Sequence, residues 1–360
     1  EPGYEYKENF RTLSNAALSG GVTSVVSMPN TKPVIDSVSI VDFIQRRGRD
    51  KSKINIFPSA TLTKNAEGKQ MTEFGLLKRK GIIAFTDGIK TVQDPQVMVR
   101  IMSFASQSGS LIMQHAQDNI LSNGGLINEG EISTRLGLKG IPFLAEKIIV
   151  ERDLSFLEEH FCRYHISQIS SEKTVSVIKK AKNDGKVFTS GVSINNLSLN
   201  ENDIGDFRTF LKLSPPLRTE NDRKSLVEAV NDGIIDVIVS DHKPEDEESK
   251  RLTFQQAATG ATGVETLLPL ALELFHNKSI KLKKIISSIT SNPAKILGID
   301  KGSLEKGKDA DLCVLDVNKP WVVDKTKLKS KSKNTPIENK KLQGQVLKTF
   351  IKGELAYERI

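Results

Sequence analysis

Residues 81–115 read GIIAFTDGIKTVQDPQVMVRIMSFASQSGSLIMQH, and the fold turns on how this stretch is read. Gly81–Thr86 and Leu111–Gln114 are apolar runs of strand length. Pro95–Ser106 between them carries apolar residues at three- and four-residue spacing, so the pattern predicts strand, loop, helix, strand. Each run stops on a side chain able to do chemistry, Asp87 after the first and His115 after the second. The same alternation continues outward from residue 22. Further strands are expected at Val22–Pro29, Ile54–Thr61, Arg163–Ile169, Lys186–Thr189 and Asp236–Ser240, giving seven in all. Helices with one apolar face are expected over Glu8–Ser19, Leu144–Glu159, Glu172–Asp184, Glu220–Asn231 and Val264–His276. Asn221, Asp222, Gly185 and Gly233 stand as cap signals at helix ends.

Seven strands suit an eight-stranded barrel lacking its first strand, and equally an open doubly wound sheet. The polar residues separate the two. Asn30, Asp87, His115, Gln168 and Asp241 sit at strand ends one after another, as in barrels that build their site from the carboxyl ends of several strands. No GxGxxG or GxxxxGK pattern follows a strand, so a nucleotide crevice is not supported. The expectation is an α/β fold, a (β/α)8 TIM-type barrel.

A chain of 360 residues with 38% apolar content can bury one large core and carry an appendage. The barrel is expected over residues 1–300. After Leu282–Leu297 the texture changes, and 310–315 and Val346–Ile351 read as strands of a small β-sandwich over 301–360 whose partner strands come from elsewhere. The Lys-, Ser- and Asn-rich stretch from Lys325 to Lys341 is expected to be mobile in its first half. The net charge of +8 is spread among 44 acidic residues rather than massed in a tract, which reads as solvated surface and not as a nucleic-acid partner. Cys162 and Cys313 form no CxxC pair, so neither a disulfide framework nor a thiolate zinc site is legible. No apolar run approaches the roughly 18 residues that span a bilayer. A soluble, cytoplasmic protein is expected. Glu1-Pro2-Gly3 reads as the middle of a loop, which points to a fragment.

A hydrolytic metal site wants imidazole nitrogens and carboxylate oxygens converging from rigid elements. Asp87, His115 and Asp241 all lie at expected strand ends and could meet above one barrel, with His165 and His242 nearby. A lone strand-end histidine is more often a satisfied structural residue; three candidates in one layer count for more. Asp241 could also act as a general base, or simply cap the next loop. Asn30, before Thr31-Lys32-Pro33, reads as a substrate contact or as a turn residue. Arg218, in Ser214-Pro215-Pro216-Leu217-Arg218, reads as a partner for a substrate carboxylate or as half of a structural ion pair.

Taken together, several segments resemble the dihydroorotase family of amidohydrolases in its long-barrel class. They are Glu1-Pro2-Gly3, which matches the residues just after that family's His-x-His-x-Arg, then Gly20-Gly21-Val22-Thr23, Met28-Pro29-Asn30-Thr31 and Ala84-Phe85-Thr86-Asp87-Gly88. His115 with Asp118, Asn128-Glu129-Gly130-Glu131, Pro215-Pro216-Leu217-Arg218, Asp236–His242 and the run GSLEKGKDADLCVL from Gly302 come after them in the family's order. The resemblance implies zinc, with Asp87 and His115 as metal ligands, Asp241 as ligand and proton shuttle, and Asn30, Asn195 and Ser214 at substrate-binding positions. It implies the interconversion of N-carbamoyl-aspartate and dihydroorotate in pyrimidine synthesis, by a homo-oligomer. There are departures. Gln168 stands where the family has a ligand histidine, Asn195 where histidine is common, Ser214 where asparagine precedes Pro-Pro, and Glu245 where histidine is usual. Such losses are those of the family's catalytically silent members, which hold together aspartate carbamoyltransferase. Two expectations therefore stand side by side: a metal-dependent cyclic amidase, and a silent barrel serving as an assembly partner. A hydantoinase-like specificity is disfavoured because those enzymes use a carboxylated lysine where Asp87 stands.

Overall fold

In the computed structural model, which describes residues 1–359, the apolar runs become parallel staves in sequential order. Strand β1, Ser24–Ser27, pairs with β2, Asn55–Pro58, from Ser24↔Asn55 to Ser27↔Pro58. The next stave is held by single bridges, Ala60↔Phe85 and Phe85↔Ile112. Then come β3, Leu111–Gln114; β4, Arg163–Ile166; β5, Thr189–Ser193; and β6, Val237–Val239, each parallel to the one before. These make the seven expected staves. Among the described residues β1 and β6 do not pair with each other, so the ring is open between them.

Two staves differ from their expected bounds for the same local reason. Gly81 and Gly185 sit in the left-handed region, and the amides of Ile82 and Lys186 still bond back to Leu77 and Ala181 in the preceding helices. The helical ends thus consume residues 81–82 and 185–186. The third stave shrinks to the neighbourhood of Phe85, and β5 begins at Thr189 instead of Lys186.

Helices cover the staves from outside, among them Pro95–Ser108, Phe143–Phe156, Glu172–Asn183 and Glu220–Asp232. Their starts obey capping chemistry. Asp94 accepts from the amides of Gln96 and Val97 just before Pro95, and Thr219 forms a capping box with Asp222. Asp222, expected as a cap signal, is therefore the third residue of its helix, and Thr219 is the cap itself. No helix among the described residues is long and apolar enough to cross a membrane.

The C-terminal strands β7, Leu312–Val322; β8, Lys341–Ile351; and β9, Glu354–Glu358, form one antiparallel sheet in the order β9-β8-β7. Val346 packs with Leu268 and Leu272 of the helix Leu267–His276, which seats the sheet on the barrel wall. The stretch expected to be mobile is pinned instead. Ser330, Ser332, Asn334 and Thr335 are buried. Ser330 Oγ donates to Glu8 and its amide to Glu265, Ser332 Oγ donates to the Lys7 carbonyl, and Asn334 bonds the Gly260 carbonyl and the Glu245 amide. Its polar composition serves buried partners distant in sequence rather than solvent.

Candidate active site

Asp87, His115 and Asp241 leave the carboxyl ends of staves, and the loops beyond them decide what each can do. Asp87 comes directly after the third stave and is buried. Its Oδ1 accepts the Thr63 amide at 3.0 Å and its Oδ2 the Thr63 hydroxyl at 2.6 Å. Burial raises its pKa, and the bonds from Thr63 pull against that rise. Asn30 is exposed beside it, packed so closely over Gly88 that a β-carbon there would lie 3.1 Å from Asn30 Oδ1.

His115, directly after β3, is buried with no hydrogen-bond partner for Nε2. Burial, helped by the charge of Lys243 and opposed by the Gln117 side chain, lowers its pKa to about 4. The imidazole is therefore neutral at physiological pH.

Asp241 leaves β6 at φ +48°, a left-handed conformation that aspartate tolerates better than most residues. Its Oδ1 accepts from Gln168 Nε2 at 2.9 Å and its Oδ2 from Ser193 Oγ at 3.2 Å. Burial raises its pKa to about 6 against the lowering effects of Gln168, Ser193, Lys243 and Asn195. Asn195 is wholly buried at the start of the short helix Ile194–Ser198, and neither its Oδ1 nor its Nδ2 has a partner of good geometry. It stands near enough to Asp241 to influence its charge without forming a full hydrogen bond. Such an orphaned buried amide is costly, and functional sites are where such groups are retained.

The remaining candidates separate from this cluster. Ser214 is half-buried and makes no side-chain hydrogen bond among the described residues. Arg218 is buried and spends its donors on Ser170 Oγ at 2.7 Å, Asn128 Oδ1 at 2.8 Å and the Ile141 carbonyl at 3.3 Å, so of its two readings the structural one holds. His165 Nδ1 lies 2.8 Å from Thr189 Oγ1, one layer below the mouth. His242 Nδ1 accepts the Gly263 amide at 3.1 Å, which puts the ring proton on Nε2, 3.8 Å from Glu8. Sequence reasoning did not single out Thr63, Ser193 or Lys243. Ser193 closes β5, and Lys243 lies two residues past Asp241, which were the available signals.

Zinc needs at least three converging ligands. Among the described residues no three His, Cys, Asp or Glu side chains gather closely enough to hold a metal ion. His115 Nε2 has no hydrogen-bond partner, while Asp87 is held by Thr63 and Asp241 by Gln168 and Ser193, so the three do not gather round one point. The side chains of residues 1–359, as arranged, do not fit a zinc site.

A sequentially wound parallel barrel with acids and an imidazole at its mouth, joined to a small antiparallel sheet, is the architecture of the amidohydrolases. The model of Dihydro-orotase-like proteins matches residues 1–174, and that of the Amidohydrolase family matches residues 227–357. The dihydroorotase of Ehrlichia canis (strain Jake) is 42% identical over 361 residues, spanning 100% of this chain and 80% of the relative. That of Syntrophus aciditrophicus (strain SB) is 42% identical over 358 residues, spanning 99% and 84%. This chain belongs to the dihydroorotase family. Among solved structures, the L-hydantoinase from Arthrobacter aurescens superposes with a TM-score of 0.89 at 23% identity, covering 99% of this chain and 82% of that one. The dihydropyrimidinase from Brevibacillus agri NCHU1002 superposes with a TM-score of 0.84 at 20% identity, covering 98% and 80%. These likenesses concern the fold.

Proposed function

We propose that this chain is a cyclic-amide hydrolase of dihydroorotase type, interconverting dihydroorotate and N-carbamoyl-aspartate in pyrimidine synthesis. The observation that carries the reading is Asp241, a buried carboxylate at the barrel mouth whose pKa of about 6 suits it to take and return a proton near neutrality. In the hydrolytic direction Asp241 accepts a proton from the attacking water. The water oxygen bonds to the ring carbonyl carbon, the carbon–nitrogen bond breaks, and Asp241 returns the proton to the leaving nitrogen. Gln168 and Ser193 hold the carboxylate in place, and the unpartnered amide of Asn195 is offered to substrate. Asn30 and Ser214 are placed in the same reading as outer substrate contacts. Zinc, which the family resemblance implies, would find one ready ligand in His115, and no step is assigned to it.

The silent-partner reading has its own observation, the Gln168 amide that occupies one oxygen of Asp241 where the family has a ligand histidine. Turnover decides between them. The purified protein should consume dihydroorotate, with a rate that rises as pH passes about 6 and then levels. Asp241→Asn should lower that rate by roughly 10²- to 10⁴-fold with an unchanged circular dichroism spectrum. A protein that turns over neither dihydroorotate nor N-carbamoyl-aspartate overturns the proposal, and capture of aspartate carbamoyltransferase would then mark the silent partner.

A further inference from the structure

The loop between β6 and the helix Leu267–His276 brings several ammonium groups into the fold beside the mouth, and all but one are satisfied. Lys7 pairs with Glu245 at 2.5 Å. Lys212 Nζ donates to the carbonyls of Phe254, Gln255 and Ala257 at 2.8 to 2.9 Å. Lys250 Nζ donates to those of Thr209 and Ala258 at 2.9 and 2.7 Å. Lys243 Nζ has neither a hydrogen bond nor a carboxylate within 4.0 Å among the described residues, although an ammonium carries three donors.

This free cation is held in place. The Lys243 amide donates to the Ala261 carbonyl at 2.7 Å, and His242↔Ala261 form a parallel bridge that fixes the backbone on either side of the side chain's root. The aliphatic stem runs over Gly260, where a β-carbon would come within 2.8 Å of Lys243 Cγ and 2.9 Å of Cδ. Gly260 also adopts φ +142°, which a side chain would rarely allow, so the channel for the stem depends on glycine. The charge is felt by two mouth residues, His115 and Asp241, which places it among the site residues rather than on the outer surface. Glu245 and Asp241 act on this charge from a distance, but neither brings an oxygen within 4.0 Å of Nζ. Lys243 keeps part of its surface open, so a ligand can reach it. A desolvated cation that no carboxylate touches is costly, and an arriving anion that contacts it lowers that cost.

We propose that Lys243 receives the carboxylate of the substrate and so selects ring amides that bear an acid group over neutral ones. The inference rests on the cyclic-amidase reading and adds a specificity residue to it.

The test compares dihydroorotate with dihydrouracil, the same ring without the carboxylate, in wild type, Lys243→Met and Lys243→Arg. In Lys243→Met the KM for dihydroorotate should rise about 10- to 100-fold, the range for losing a charged hydrogen bond. The ratio of kcat/KM for dihydroorotate over dihydrouracil should fall at least about tenfold, with partial recovery in Lys243→Arg. An unchanged KM for dihydroorotate, or an equal loss on both rings, overturns the proposal; equal loss would mean that Lys243 only supports the loop. If wild type turns over neither ring, binding of orotate and uracil is measured by calorimetry. Orotate binding lost selectively in Lys243→Met upholds the carboxylate site even as the turnover reading fails. Equal orotate binding by both proteins, or none by wild type, overturns it.

Discussion

Asp241→Asn should stabilise the protein at neutral pH, and its magnitude is set by the burial of one carboxyl group. The folded chain holds this group at a pKa of about 6, against an ordinary value of 3.8. In an unfolded chain it ionises near the ordinary value. Below both values the group is protonated in either state and costs nothing. As pH rises through the interval, the unfolded chain releases the proton first, so folding becomes progressively less favourable until the folded group also ionises near pH 6. Two pKa units correspond to about 3 kcal/mol, lost between about pH 4 and pH 6 and constant above. Asparagine removes this term while keeping the local contacts. Its Oδ1 can accept from Gln168 and its Nδ2 can donate to Ser193 Oγ, and asparagine tolerates the left-handed backbone at φ +48°. Urea denaturation of both proteins at intervals from pH 4 to pH 8 isolates the term, because every other titrating group cancels in the difference. The variant's advantage should grow by about 3 kcal/mol across the interval and then stay level. A difference that does not change with pH would refute the burial argument, and with it the assignment of Asp241 as a base poised near neutrality.

Asn195→Leu should raise stability by about 1 to 3 kcal/mol, since it replaces a wholly buried amide whose two polar atoms lack partners. If those atoms serve substrate, the same variant weakens dihydroorotate binding, so denaturation and binding must move in opposite directions; a destabilised variant would show that the amide has a partner in solution. Thr63→Val should cost roughly 1 to 3 kcal/mol because it removes the hydroxyl donor from buried Asp87 while preserving shape, as thermal or urea unfolding would show. No loss would mean that the Thr63 amide alone satisfies the carboxylate.

The barrel was legible because its staves are short apolar runs ending in chemically capable residues, and Leu111–Gln114 forms with the expected bounds. Bounds failed where a helix end and a strand start compete for the same residues. Lys186 has the composition of a strand start, but its amide belongs to the helical turn closed by Gly185. The segment after Lys325 misled for a different reason. Serine and asparagine read as solvent-facing when nothing nearby in the chain can bond them. Their partners Glu8, Glu245 and Glu265 are far away in sequence, and only the fold brings them within reach.

The site shows the same division between what a position says and what its neighbours decide. Asp87, His115 and Asp241 were legible as stave-end residues, yet their arrangement is set by side chains that carry no motif. Thr63 takes both oxygens of Asp87, and Gln168 with Ser193 takes both of Asp241. Gln168 is the instructive case. By the family pattern it is a lost ligand, since an amide is a poor substitute for imidazole on zinc. In the folded chain its Nε2 is a donor aimed at the carboxylate, a bond that stabilises the charged form and restrains how far burial can lift the pKa of Asp241. A neutral histidine could offer that carboxylate one protonated ring nitrogen and keep the lone pair of the other for a metal, whereas the glutamine amide supplies the donor without an imidazole nitrogen. The replacement therefore keeps a donor for the base and gives up the metal-binding lone pair, and Asp241 is where its consequence is measurable.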